Sequence, residues 1–182
     1  AGAGGAVTVA ADLDKVTSST ASSSATVDFT LSGGFEHYIV VMNKIVPASD
    51  GDDFFLLVSD DNASTYEVTS YTYTVRDLVN STFDTADTTS GTSGTEFRLH
   101  SFSGGIGSAT GEAYSGILHI FLNGTGYPHF IVDGVARKAD SFVIRSVGGG
   151  TWHVGNAITN IRFDMSAGNI ASGDFRLYGV AN

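Results

Sequence analysis

From Thr26 onward the chain alternates apolar and polar positions with a period of two. Val27, Phe29 and Leu31 are separated by Asp28 and Thr30, the pattern of a strand with one buried face. Residues 35–46 (FEHYIVVMNKIV) are apolar on both faces in their middle, which predicts a strand inside a sheet. Turn residues at 47–51 and at Asp60-Asp-Asn62 bracket a strand over 54–59, and the Tyr/Thr-rich run 65–75 predicts the next. Residues 76–95 read as a long connection, with Leu78, Val79 and Phe83 compatible with one helical turn. Strands follow over 96–100, 114–122, 127–132, 141–147, 158–165 and 174–180. The cleanest alternation sets Ile161, Phe163 and Met165 against Asn160, Arg162 and Asp164. Nine or ten short strands, with no helical stretch long enough for a βαβ crossover, predict an all-β antiparallel sandwich, jelly-roll-like, over residues 26–182.

Residues 1–25 differ. They are poor in large apolar groups and carry a dense Ser/Thr run from Thr17 to Ser24, so they predict an arm that is flexible or docks on a neighbouring subunit. The 182 residues suffice for one full core. Nine Lys and Arg against nineteen Asp and Glu leave a net charge of −10, which argues against nucleic acid as a direct ligand. There are no cysteines, so disulfide scaffolds and Cys-ligated zinc are excluded. No apolar run is long enough for a membrane helix, so no membrane partner is expected.

Candidate chemistry is sparse. No GxSxG elbow is present, and the histidines at 37, 100, 119, 129 and 153 show no HxH or HExxH spacing. His37 and His119 sit on apolar strand faces and read as core or interface residues, which would make a subunit contact pH-sensitive. Two acidic turns, Asp50-Gly-Asp52-Asp53 and Asp60-Asp61-Asn62, offer hard oxygen ligands for Ca²⁺, against the simpler reading that they cap their own turns. Glu36, Glu67, Glu96 and Glu112 are the glutamates by type suited to glycoside hydrolysis, but none stands out as a pair. The single Trp152 follows a Gly148-Gly-Gly150 turn; with Tyr127 and Phe102 it is a candidate for stacking on a sugar ring. No catalytic residue and no cofactor is indicated.

Two stretches resemble bacteriophage and prophage virion structural proteins of the minor structural, tail or head-accessory type. The first runs from Phe35-Glu-His-Tyr-Ile-Val-Val-Met-Asn-Lys-Ile-Val-Pro-Ala-Ser-Asp-Gly51 through Phe54-Phe-Leu-Leu-Val-Ser-Asp60 to Thr65-Tyr66. The second is Ile158-Thr-Asn-Ile-Arg-Phe163 with Gly168-Asn-Ile-Ala-Ser-Gly-Asp-Phe-Arg-Leu-Tyr-Gly179, a G-N-I-x-S-G-x-F-x-L-Y-G ending. Together they cover somewhat over a third of the chain. The Asp-Gly-Gly turn of that family is replaced here by Asp60-Asp-Asn-Ala63.

The resemblance implies a non-enzymatic β-sandwich used as a virion building block, on the particle surface and assembled in the host cytoplasm. The expected partners are further copies of the chain, with a trimer favoured, and other virion proteins. Phe29, Tyr38, Phe55, Phe121, Phe163, Phe175 and Tyr178 are the aromatics expected to pack in the core or at the contact. Strands apolar on both faces need cover on each side, which a sandwich plus a subunit contact supplies. The alternative is a glycan-binding sandwich, either a receptor-binding tip recognising a host surface glycan or a carbohydrate-binding module.

Overall fold

The computed structural model describes residues 13–79, 82–83, 87–124, 126–138 and 142–181. These are all-β, with thirteen strands and no helix. The strands are β1 (Leu13–Ser24), β2 (Val27–Thr30), β3 (His37–Pro47), β4 (Phe54–Ser59), β5 (Tyr71–Val79), β6 (Thr82–Phe83), β7 (Asp87–Gly94), β8 (Phe97–Arg98), β9 (Tyr114–Phe121), β10 (His129–Arg137), β11 (Val143–Trp152), β12 (Asn160–Met165) and β13 (Ile170–Val180). They form two antiparallel sheets. The large one runs β1-β13-β3-β9-β10-β11-β5-β6, with β7 also on β5, and the small one runs β2-β12-β4-β8. The division is nine strands against four, where a jelly roll distributes eight over two sheets.

Period-two patterning decides which face is buried. Along β10, Phe130, Val132 and Ala136 are buried while His129, Ile131, Asp133, Val135 and Arg137 are exposed. The core lies between the sheets. Phe29, Phe54 and Phe163 of the small sheet pack on Phe175 of the large one, with ring centroids 5.2 to 6.5 Å apart. A second cluster joins Phe97 to Tyr73 and Phe130 at 5.8 and 5.1 Å. Tyr38 is also buried, its hydroxyl donating to the Ser32 carbonyl at 3.1 Å. Phe55 is half-buried on the outer face of the small sheet, and Phe121 and Tyr178 are half-buried on that of the large one.

Glycine opens room for one of the core rings. Gly116 and Gly134 oppose each other across β9 and β10, and Tyr114 lies over both, so that a Cβ on either would collide with its hydroxyl. The hydroxyl is turned toward the Leu99 carbonyl at 3.4 Å, and full burial pushes its ionisation well above the ordinary tyrosine range.

Four sequence expectations are corrected. Residues 13–24 of the expected arm are the edge strand of the large sheet, in antiparallel register with β13 of the same chain from Leu13↔Val180 to Ser24↔Ile170. Residues 1–12 lie outside the described residues. The strand expected over 65–75 begins only at Tyr71, and the expected connection over 76–95 is replaced by continuation of β5 to Val79 and by β6 and β7 pairing back onto it. The Gly148–Gly150 run is not a turn but the middle of β11, where Val75, Tyr73 and Phe97 close over the bare glycine backbone.

Candidate functional site

The surface that stands out is the outer face of the large sheet. Side chains here follow from register. Ile39 opposes His119, which opposes Ile131; Val41 opposes Ile117, which opposes Asp133; Ser115 opposes Val135, which opposes Arg145. Ile117, Ile131, Val135 and Val143 are 41–52% exposed, an apolar stripe crossing three adjacent strands. The alternation that buries the other face puts these residues outside. The backbone of Gly116 and Gly134, whose side-chain positions face inward to Tyr114, floors a trough of about 510 Å³ on this face, edged by Val41, Ile117, Val135 and the Asp133–Arg145 pair.

That pair is bidentate, with Arg145 Nε on Oδ1 at 3.1 Å and Nη2 on Oδ2 at 2.7 Å. The guanidinium's hydrogen bonds hold the Asp133 carboxyl below the usual carboxylate range. Arg76, Arg137, Arg145 and Arg176 are all exposed on this face, four of the nine Lys and Arg of an acidic chain. At one end His37 Nε2 and His119 Nδ1 share a hydrogen bond of 3.0 Å, and His37 stacks on Phe121 with centroids 4.3 Å apart. Burial, and then the neighbouring His119, lower the pKa of His37 from its ordinary value.

The acidic turns do not converge. Asp50 accepts from the Ser108 backbone at 2.9 Å, Asp52 from the Ser166 hydroxyl at 3.0 Å, and Asp53 faces Arg98 at 3.4 Å. Asp60 accepts from the Asn156 amide at 2.6 Å. Asp61 caps its own turn: the backbone and hydroxyl of Thr65 and the hydroxyl of Ser59 all donate to it and hold its carboxyl down to about 2. Among the described residues no three His, Cys, Asp or Glu side chains gather as a metal site. Asp61 alone caps its own turn, while Asp50, Asp52, Asp53 and Asp60 are engaged by separate segments, so the two turns do not present one shared ligand set for Ca²⁺.

Nor do the expected stacking rings form a platform. Trp152 is 1% exposed and its indole N–H donates to the Thr69 carbonyl at 3.1 Å, and Phe102 is buried against His100. Tyr127 alone is exposed, packed on His153 with centroids 5.0 Å apart. Beside it the loops before β3, after β9 and before β12 enclose a cleft of about 210 Å³, with Phe35, Leu122, Pro128 and Ile158 as its apolar wall and Asn123 and Asn156 at its edge. Of the four glutamates, Glu112 is buried and accepts from the Ala109 backbone, and Glu96 pairs with Arg98. His100, also buried, accepts from the Phe54 N–H through Nε2.

The outer face was partly visible in the sequence, because residues 35–46 and 117–122 are apolar on both sides. The His37–His119 contact was not, since it depends on the register of β3 against β9.

The fold and this face define an all-β sandwich with one large, open sheet surface. The chain matches no family model, no curated protein and no solved structure.

Proposed function

We propose that the chain is a non-enzymatic structural subunit of a phage virion, a head-decoration or tail or fibre accessory protein. It assembles in the host cytoplasm as a symmetric homo-oligomer, with a trimer favoured, and attaches to other virion proteins on the particle surface. The observation that carries this is the exposed apolar stripe of Ile117, Ile131, Val135 and Val143 on the large sheet. These four large apolar side chains stand exposed around the Asp133–Arg145 pair on one sheet face, a surface suited to burial against a partner. Six strands spaced about 4.8 Å apart and about eight residues long at about 3.3 Å each present about 760 Å², close to the area one partner commits to a stable interface.

The charges fit a protein neighbour. This face concentrates arginines on a molecule of net charge −10, so the remaining surface of another copy, or an acidic virion protein, complements it. The segments that resemble virion proteins also support the reading, because they fall together in space. They contribute β3 beside β13 in the large sheet and β4 beside β12 in the small one.

The test is native mass by light scattering on a sizing column, for the intact chain and for Ile131→Asp. A discrete oligomer, a trimer above all, that dissociates in the variant while its far-UV circular dichroism is unchanged agrees with the proposal. A monomer at every concentration overturns it.

A second reading, a glycan-binding sandwich, is favoured by the loop-end cleft and by exposed Tyr127 beside it. Saccharide binding lost in Tyr127→Ala with the fold intact separates it from the first.

A further inference from the structure

The His37–His119 contact carries chemistry that does not depend on assembly. Because His37 opposes Phe121 and Ile39 opposes His119, the two histidines are diagonal neighbours on the same outward face of β3 and β9. Nε2 of one and Nδ1 of the other are 3.0 Å apart, and both rings are half-buried, open to solvent on the outward side. Phe121 lies near-parallel to both rings, at 17° and 4.3 Å from His37 and at 9° and 6.1 Å from His119.

We infer that His37 and His119 form a two-imidazole site for a late first-row divalent cation such as Zn²⁺, with water completing the coordination shell. Two nitrogens bound to one such ion at about 2.05 Å lie about 2.9 Å apart at a right angle and about 3.4 Å apart at the tetrahedral angle. The observed 3.0 Å falls in that span, so the strands need not move. The rings at present face each other across a shared proton and tip outward until both lone pairs meet on the solvent side. The ring that donates that proton carries it on its other nitrogen instead, so no net proton is released.

Imidazole selects the later transition metals over Mg²⁺ and Ca²⁺, which want oxygen. His129 opposes Phe121 from β10 and is a further imidazole on this end of the face. Since no third ligand joins the pair among the described residues, His129 is the natural control.

The experiment is a calorimetric titration of the untagged chain with ZnCl₂ at pH 7.5, with MgCl₂ as reference. The expected result is one Zn²⁺ per chain, weakened at least about tenfold in His37→Gln and in His119→Gln, unchanged in His129→Gln, and no Mg²⁺ binding. Imidazole ¹⁵N resonances of the unmutated protein give a readout free of folding effects, and Zn²⁺ must shift those of His37 and His119. Absence of Zn²⁺ binding, affinity retained in both pair variants, or unmoved His37 and His119 resonances each overturns the inference. A failed oligomer test leaves it standing, because the two donors come from one chain.

Discussion

Phe35 lies across Gly179, so close that a Cβ on the glycine would fall within the ring's own carbons. The ring also covers Gly33, which has a φ of +100°, and meets Tyr38 edge-on at 5.7 Å and 88°. An aromatic on the loop before β3 thus closes the end of β13 and sets one wall of the loop-end cleft.

Gly179→Ala must push Phe35 out of this seat. The expected loss is about 2–3 kcal/mol, the usual cost of overpacking a well-filled site. Urea unfolding measures it, and a Phe35→Leu change made together with Gly179→Ala should recover part of the loss, because the two residues are coupled through one contact. Additive losses would show that Phe35 does not occupy Gly179's side space in solution.

A pH prediction follows from His100. Its ring is fully buried on Phe102, and burial, with a smaller contribution from Arg98, lowers its pKa to about 3. The native state therefore keeps it neutral where the unfolded chain protonates it, near an ordinary value of about 6.5. Stability is complete above that value and falls as pH drops toward 3, by about 1.4 kcal/mol per pH unit. The window from pH 6.5 to 5 isolates this effect from Asp61, whose carboxyl is depressed to about 2 and contributes stability that is lost only below its ordinary range. Urea midpoints at pH 7, 6 and 5 should fall more steeply for the intact chain than for His100→Gln, which keeps an acceptor for the Phe54 N–H. Equal slopes would remove His100 as the cause.

Trp152 is the only tryptophan, so its fluorescence reports one environment. With the indole buried and its N–H on the Thr69 carbonyl, emission should be blue-shifted, inaccessible to iodide, and unaffected by added saccharides. A quenched or sugar-sensitive signal would return this residue to the surface. Trp152→Phe should cost about 2–3 kcal/mol, from the lost volume and the orphaned carbonyl.

The strands legible in the sequence were those written in large apolar residues, by alternation in β2 and β12 and as a continuous run in β4. β5 was misplaced because its inward positions pass from Tyr71, Tyr73 and Val75 to Asp77, which is fully buried but accepts from the backbone and hydroxyl of Ser101 at 2.9 and 2.7 Å. A buried carboxylate whose hydrogen-bond donor lies 24 residues away looks like the end of a strand. Gly148–Gly150 looked like a turn because the rings that fill its space come from β5 and β8. The same limit applies to sites. Asp50, Asp52 and Asp53 are neighbours in sequence, yet their partners Ser108, Ser166 and Arg98 come from three separate segments.

β1 was missed for a different reason: eleven of its twelve residues are at least partly exposed, and only Ala21 is buried. What holds it is backbone pairing to β13, interrupted by one bulge between Lys15 and Thr17 and reinforced where the Asn169 amide donates to the Ser23 carbonyl at 2.9 Å. Removing the chain before Thr26 should therefore do more than release an arm. It strips the partner from β13, an eleven-residue strand, and leaves a long unpaired edge. The expected outcome is a lower urea midpoint and concentration-dependent aggregation, seen by circular dichroism and light scattering. A truncated chain with unchanged stability and altered assembly alone would show that residues 13–24 do not hold this place in solution and would restore their role as an arm reaching a neighbour.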